Sequence, residues 1–164
     1  HSGKKLQYFD HEENKSYVPY VVETSIGLDR MFLAVFSNSL QEEVLENGTT
    51  RTVLKLPAVL APFKAAILPL VKKDGLPEVA RKIMDDLKWD FNVFYDEKDA
   101  VGKRYRRQDA AGTPFCITVD HDTLNDNCVT IRHRDTMEQK RVTISELKGI
   151  ISQEVAIKAW LQKM

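Results

Sequence analysis

Apolar and polar positions alternate with two different periods in the second part of the chain, and these periods predict its elements. Residues 64–71, KAAILPLV, form a mostly apolar run of strand length, which is typical of a strand covered on both faces. Val79, Ile83 and Leu87 then recur at helical spacing after Pro77, a residue that suits the first turn of a helix. A strand followed by a helix is the first unit expected of an α/β domain.

The alternation continues downstream. Residues 91–96 (FNVFYD) form a second strand candidate, residues 103–111 form a basic helix candidate, and residues 114–120 (PFCITVD) alternate like a half-buried strand. Residues 128–134 and 138–145 are two more strands, which a short turn must join in antiparallel fashion, and a terminal helix follows. The predicted fold is α/β, a mixed five-stranded sheet flanked by three helices.

The first forty residues follow a different pattern. Residues 17–23, YVPYVVE, are rich in Val and Tyr and predict a strand. After a glycine turn, four apolar residues recur at helical spacing, which predicts a helix over residues 28–36 with one buried face. These four are Leu28, Met31, Phe32 and Val35.

The segment between these two patterns is acidic, then polar, and it is interrupted by Asn47-Gly48, Pro57 and Pro62. Such a composition is typical of a connection between domains. The predicted organisation is therefore a strand–helix segment at 1–40, a linker at 41–58 and the α/β domain at 59–164.

Composition adds few constraints. The chain has 164 residues, of which 43% are hydrophobic and 29% are charged, as expected of a folded domain. Its apolar runs are too short to span a membrane, and Cys116 and Cys128 are too few for a disulfide framework, which favours reduced thiols in the cytoplasm. The absence of an initiator Met before His1 leads us to expect a fragment of a longer protein.

Charge is balanced overall, with 24 basic and 24 acidic residues, but it is concentrated locally. GKRYRRQD, residues 102–109, places four cations and a tyrosine within five positions, a pattern that suits phosphates and unpaired bases. The alternative is a solvated helix face with salt bridges to Asp96, Asp99 or Asp109. RHRDTMEQKR, residues 132–141, again mixes Arg with residue types that hydrogen-bond base edges, although cross-strand ion pairs would explain it equally well.

Catalytic patterns are weak. The four histidines are scattered, and His121, between Asp120 and Asp122, fits turn chemistry better than a metal or acid–base site. These histidines are His1, His11, His121 and His133. No phosphate loop, nucleophile elbow or zinc spacing is visible, so we expect no metal.

ETSIGLDRMFLAVF, residues 23–36, resembles the third signature motif of class II aminoacyl-tRNA synthetases. Its flanks, HSGKKLQYFD and YVPYVVETSIGLDR, are similar to the dimeric glycyl-tRNA synthetases. KAAILPLV, GKRYRRQDAAGTPFCITVD and TIRHRDTMEQKRV resemble the anticodon-binding domain of those enzymes. The resemblance covers most of the chain, whereas motifs one and two of the family are missing. It implies that residues 1–40 are a remnant of the class II catalytic domain and that residues 59–164 are the anticodon-binding domain.

The resemblance implies roles for single residues. Arg30 matches an arginine that contacts ATP phosphates, and Glu23 and Ser25 match positions that line the glycine pocket. The full-length enzyme would use ATP and Mg²⁺, act as a cytoplasmic homodimer and attach glycine to tRNA(Gly). The chain alone is expected to be inactive, because most of the adenylation site would lie in the missing part.

For the anticodon we expect contacts from two groups of residues, one on the basic helix and one on the hairpin. They are Arg104, Arg106, Arg107, Gln108, Asp109, Arg132, Arg134, Asp135 and Thr136. The alternative is a non-catalytic α/β adaptor that binds a protein partner. A third possibility, a doubly wound small-ligand domain, lacks the phosphate loop that would support it.

Overall fold

The structure, a computed structural model, describes residues 3–162, so His1 lies outside the described residues. The chain divides into two compact units, His1–Phe32 and Leu33–Met164, with the division inside one helix. Each unit is described by itself below.

The first unit begins with a small antiparallel hairpin. Its strands are β1 (Tyr8–Asp10) and β2 (Lys15–Tyr17), and the Asp10 carboxylate accepts hydrogen bonds from two backbone N–H groups of the turn. The predicted strand at 17–23 is wrong beyond Tyr17, because residues 18–27 form neither helix nor strand. A strand needs a neighbour to satisfy its backbone groups, and Pro19 supplies no N–H donor.

The predicted helix is confirmed as α1 (Leu28–Ser39), three residues longer than expected. Asp29 in its first turn interacts favourably with the helix dipole. The predicted buried face is wrong, since Leu28 is 82% exposed and Phe32 is 69% exposed.

The second unit contains a hairpin that the sequence analysis did not predict. Strands β3 (Leu40–Val44) and β4 (Thr50–Leu54) pair in antiparallel register. The Asn47 side chain accepts hydrogen bonds from the Thr49 N–H and hydroxyl, at 3.0 and 2.7 Å, and so closes the turn. Residues 41–58 therefore include a folded hairpin, while the domain boundaries expected from sequence stay predictions.

The five-stranded sheet has the predicted mixed character. Its strands are β5 (Ala65–Pro69), β6 (Val93–Tyr95), β7 (Phe115–Val119), β8 (Cys128–His133) and β9 (Gln139–Thr143), in the spatial order β6-β5-β7-β8-β9. β5 runs parallel to β6 and β7, whereas β7, β8 and β9 pair in antiparallel fashion. The crossover connections and short turns of the sequence dictate this mixture.

The three predicted helices are confirmed as α2 (Leu76–Leu87), α3 (Val101–Ala111) and a terminal helix, α5 (Leu147–Val155). Two short helices, α4 (Thr123–Asp126) and α6 (Ile157–Leu161), accompany them.

Both faces of the sheet are covered. The larger core includes Ile83 of α2 and Ile151 of α5, and a smaller cluster on the other side packs Tyr105 of α3 against β5 and β7. Because of this double cover, β7 is buried along its whole length rather than half-buried as predicted. The α3 side of the sheet carries most of the polar residues selected from sequence.

Candidate nucleic-acid interface

Asp109 of α3 lies at the centre of a buried network of charges. Its side chain is only 1% exposed, and its carboxylate accepts two hydrogen bonds from Arg132 of β8, at 2.8 and 3.0 Å. Arg51 of β4 donates to the same carboxylate at 3.1 Å, and Arg106 lies 3.4 Å from it. One carboxylate thus joins the hairpin, α3 and β8.

Each buried charge of the network has a partner of opposite sign. The fork of Arg132 matches both carboxylate oxygens of Asp109, and its guanidinium also lies 4.9 Å from the centre of the Tyr105 ring. Burial opposes ionisation of Arg132, but the bonds to Asp109 outweigh it, so the pKa of Arg132 lies above its ordinary value. The same burial raises the pKa of the neighbouring Cys116 thiol to about 12.

Arg134 is buried by a different set of contacts. Its two Nη atoms donate to the carbonyls of Gly112 and Leu56, both at 2.8 Å. Nε and Nη2 also donate to the Asp135 carboxylate. Burial would raise the pKa of Asp135, but the bonds from Arg134 prevail and lower it.

Arg104 and Gln108 of α3 also face inward. Arg104 is 1% exposed and donates to the carbonyls of Pro69, Leu70 and Asp96, where β5 and β6 end. Burial lowers the pKa of Arg104. Gln108 is also buried, and its side-chain oxygen accepts from the Thr113 hydroxyl at 2.7 Å.

Burial thus divides the nine candidate anticodon contacts into two sets. Five have buried side chains that hold the scaffold together, namely Arg104, Gln108, Asp109, Arg132 and Arg134. The other four are exposed, namely Arg106, Arg107, Asp135 and Thr136.

The exposed set is not a single cluster. Arg106 lies beside the turn between β8 and β9, with its Nη1 3.9 Å from the Met137 sulfur, and Asp135 and Thr136 belong to that turn. Arg107 instead donates to the carboxylates of Asp96 and Asp99, as the salt-bridge alternative expected. The structure therefore brings Arg106 together with Asp135 and Thr136 of the β8–β9 turn, but it directs Arg107 of α3 against the loop after β6.

A groove of about 670 Å³ separates the β3–β4 hairpin from the β8–β9 turn. Glu43, Glu46 and Asn47 line it on the hairpin side, and Asp135 and Met137 line it on the turn side. The groove is therefore lined largely by hydrogen-bond acceptors, and Arg106 lies beside Met137 at its edge.

Two arginines of this region were missed at the sequence level. Arg51 was overlooked because its segment was interpreted as a linker, although burial alternates from Thr50 to Val53 as in a strand. Arg141 of β9 joins Asp120 and Asp126 through bonds of 2.8 and 3.1 Å. Its sequence cluster was noted, but no pattern marks a residue that holds both ends of the connection between β7 and β8.

The residues matched to the synthetase motif lie in the first unit. Glu23 and Ser25 are exposed in the segment that lacks helix and strand, and Arg30 is exposed on α1. Three exposed side chains do not by themselves form an ATP or glycine site, so no step of adenylate formation is assigned to this chain.

Among residues 3–162, no helix is long and apolar enough to cross a membrane. Within the same range, no three His, Cys, Asp or Glu side chains are grouped so as to hold a metal ion.

Comparison with known proteins agrees with this geometry. Residues 64–154 match the family model described as an anticodon binding domain. The chain is 54% identical over 155 residues to a glycine–tRNA ligase of Clostridium tetani and 57% identical over 150 residues to one of Rhodopirellula baltica. These alignments cover 94% and 89% of the chain but only 33% and 28% of the relatives, so the chain spans about a third of their length.

A solved structure shares the fold. The RNA binding domain of threonyl-tRNA synthetase from Cryptosporidium parvum Iowa II superposes with a TM-score of 0.56 at 25% identity. The match covers 61% of this chain and 25% of that one. The resemblance to glycyl-tRNA synthetases is confirmed, and the family match extends over more than half of the chain, from β5 through most of α5. The chain belongs to the anticodon-binding domain family.

Proposed function

We propose that the chain is the tRNA-binding part of a glycine–tRNA ligase and that it binds the anticodon stem-loop of tRNA(Gly). The observation that carries the proposal is the coincidence of two matches. The anticodon-domain model covers residues 64–154, and glycine–tRNA ligases are 49–57% identical over nearly the whole chain.

The polar groups beside the hairpin turn suit single-stranded RNA. Arg106 has a side chain 44% exposed and can neutralise a phosphate. Asp135 is ionised at neutral pH, since its pKa is lowered, and a carboxylate accepts from the amino group of a cytosine. Glycine anticodons end in two cytosines, so the acceptor-lined groove matches the bases that would be splayed into it.

In this proposal the buried members of the set do not contact RNA but position the residues that do. Arg132, Arg134 and Asp109 hold α3, β8 and the hairpin at fixed distances, so the exposed groups are oriented before RNA arrives. Such preorganisation reduces the entropy lost on binding. Arg104 and Gln108 belong to the same support, and Arg107 offers a more distant phosphate contact if RNA displaces its acidic partners.

The remaining roles belong to the longer enzyme. In it, glycine and ATP with Mg²⁺ would give glycyl-adenylate, and the glycyl group would move to the tRNA. Arg30 would contact ATP, Glu23 and Ser25 would contact glycine, and the enzyme would work as a homodimer. The chain alone, which spans about a third of its relatives, would bind tRNA without aminoacylating it.

A titration tests the binding proposal. The chain is titrated with tRNA(Gly) and with the same tRNA carrying two altered anticodon bases, at several salt concentrations. The cognate tRNA should bind at least about tenfold more tightly, since each wrong base costs about 1–3 kcal/mol. Equal affinities would contradict base recognition. Salt-insensitive or absent binding would instead favour the protein-adaptor alternative.

Arg106 provides a sharper prediction. Arg106→Ala should weaken tRNA binding and reduce the slope of log affinity against log salt by about one unit, because one phosphate contact is lost. Lys82→Ala is the matched control, since Lys82 is an exposed cation on α2, which belongs to the core on the other side of the sheet. An unchanged salt slope for Arg106→Ala would remove Arg106 from the interface.

A further inference from the structure

Arg51 lies on the β3–β4 hairpin, outside the residues that match the family model, yet its side chain is only 1% exposed. Its guanidinium donates to four acceptors on three different elements. Nε donates to Glu43 of β3 at 2.7 Å, and Nη1 donates to Asp109 of α3 at 3.1 Å. Nη1 and Nη2 also donate to the backbone carbonyls of Arg134 and Asp135, at 2.9 and 3.3 Å.

The two carbonyl contacts act on the conformation of Asp135. The Arg134 carbonyl belongs to the peptide plane before the Asp135 Cα atom, and the Asp135 carbonyl belongs to the plane after it. Because peptide units are planar, fixing both carbonyls fixes the two planes and therefore the direction of the Cα–Cβ bond of Asp135. The second plane also leads directly into Thr136.

Other contacts also act on Asp135, since its carboxylate accepts hydrogen bonds from Nε and Nη2 of Arg134 and its N–H donates to Nδ1 of His133. The Arg134 N–H donates to the Pro114 carbonyl and the His133 N–H donates to the Glu138 carbonyl, and these bonds hold the base of the turn. Met137 has a φ of 59°, so the turn contains a strained position on its far side. Among the described residues, the hydrogen bonds to the carbonyls on both sides of the Asp135 Cα atom come from Arg51.

We propose that Arg51 is a positioning residue for RNA recognition, which holds Asp135 and Thr136 in the orientation that a bound anticodon base requires. The inference rests on the proposed function. It extends the interface to the β3–β4 hairpin, because Arg51 fixes the turn from β4 while β3 and the turn after it form the opposite wall of the groove. Arg106 donates to the same oxygen of Asp109 as Arg51 does, so the phosphate contact and the base contact share one anchor.

The main test is Arg51→Lys in the full chain. Lysine keeps the positive charge beside Asp109, but its single nitrogen cannot reach acceptors spread over three elements as a guanidinium does. Binding of the cognate and the anticodon-altered stem-loops is measured for the wild-type chain and for the Arg51→Lys chain. Amide hydrogen exchange is measured for the same two chains. Thr52→Ala is the matched control, since Thr52 is the exposed neighbour of Arg51 on the same strand.

The expected result separates positioning from simple stability. In Arg51→Lys the cognate stem-loop should bind about fivefold more weakly, the effect of one lost hydrogen bond, and its advantage over the altered loop should shrink by a similar factor. The salt slope should stay unchanged, because Arg51 contacts no phosphate. Amides of residues 134–138 should exchange faster than in the wild type, while the exchange of the α2 amides should not change. The Thr52→Ala variant should match the wild type in binding and in amide exchange.

A second variant covers the case in which Arg51→Lys does not fold. Glu43→Gln leaves Arg51 in place but weakens the bond that orients its Nε, and the Glu43 side chain is partly exposed. Glu43→Gln should reduce the discrimination between the two stem-loops and speed amide exchange in the turn, as Arg51→Lys does, but by smaller factors. If a folded Arg51→Lys chain distinguishes the two stem-loops as well as the wild type does, the inference is overturned. If Arg51→Lys does not fold, the same result for Glu43→Gln overturns it.

The experiment distinguishes failure of the proposed function from failure of the inference about Arg51. If the wild-type chain itself does not distinguish the two stem-loops, the proposal of anticodon recognition is wrong whatever the variants do. If the wild type distinguishes them and the variants do so equally well, only the role of Arg51 is wrong.

Discussion

At the scale of single residues, burial decides what an arginine does. Arg106 and Arg132 come from clusters of similar composition, yet one is exposed and the other is buried against Asp109. A buried ion pair is costly to assemble and more costly to break, because the remaining partner keeps its charge without compensation. The basic clusters of this chain therefore serve both as internal supports and as exposed cations.

Asp109→Asn tests the internal support. The substitution would leave Arg51 and Arg132 buried without their shared carboxylate, so the free energy of unfolding should fall by about 3–5 kcal/mol, as measured by urea denaturation. Asp99→Asn, which breaks an exposed pair with Arg107, should be indistinguishable from the wild type. A stable Asp109→Asn chain would mean that the network contributes little.

The sequence indicated the residue types of this site, but it did not show which side chains are buried and which are exposed. Asp109 was selected from RYRRQD, yet its partner Arg51 is 58 positions away, in a segment whose function as a strand was missed. Periodicity placed Arg132 and Arg134 on one strand, but only Arg132 lies on β8, which ends at His133. It could not show that Asp109, Gly112 and Leu56 would supply acceptors for them.

The two cysteines give a second prediction at this scale. Cys116 is 2% exposed and its pKa is raised to about 12 by burial, so the thiolate that reacts with alkylating agents is scarce at pH 8. Cys128 is only partly buried. Iodoacetamide should therefore add a single label to the native chain, detected by mass spectrometry, and none to Cys128→Ser. Two labels on the folded chain would contradict the buried position of Cys116.

At the scale of elements, the close approach of the β3–β4 hairpin to α3 needs a glycine. Gly112 ends α3 with a φ of 80°, a left-handed conformation that a glycine adopts without strain. A Cβ atom at this position would lie 3.1 Å from the Leu54 carbonyl oxygen and 3.2 Å from a Leu54 methyl group. The glycine therefore serves both the helix end and the packing of the hairpin.

Comparing Gly112→Ala with Gly75→Ala isolates the hairpin contact. Gly75 has a nearly identical φ of 79°, but no atom lies within 4 Å of the added carbon. Gly75→Ala should cost about 1–2 kcal/mol for the left-handed backbone alone. Gly112→Ala should cost about 1 kcal/mol more, because the hairpin must shift. Thermal or urea unfolding measures both, and equal losses would mean that the hairpin is held loosely.

At the scale of the whole molecule, local patterns predicted the sheet well because its strands and helices depend on neighbours close in sequence. β5 and α2 needed only an apolar run, a proline and a helical repeat. The prediction of a buried face on α1 was wrong for the opposite reason, since periodicity shows which face is apolar but not whether anything covers it. The hairpin at 40–54 was missed because its Asn-Gly turn was interpreted as part of a linker.

The acid stability of the whole molecule follows from its bridged carboxylates. Burial raises the pKa of Asp120, but bonds from Arg141 and Thr123 outweigh it, so the pKa in the folded chain lies below the ordinary value of 3.8. A lowered carboxylate pKa stabilises the fold above that ordinary value, and the contribution is lost as the pH falls through the lowered pKa. Asp96 and Asp135 behave in the same way.

We therefore expect Asp120→Asn to be about 1 kcal/mol less stable than the wild type at pH 7, because a partly exposed bridge to Arg141 is lost. The gap should narrow as the pH falls below 3.8 towards the lowered pKa of the folded chain, because the wild-type carboxylate becomes neutral there. Urea unfolding at pH 7, 5, 4 and 3 measures it, with Asp122→Asn as the exposed neighbouring control. A gap as large at pH 3 as at pH 7 would show that Asp120 acts through the geometry of its turn rather than through its charge.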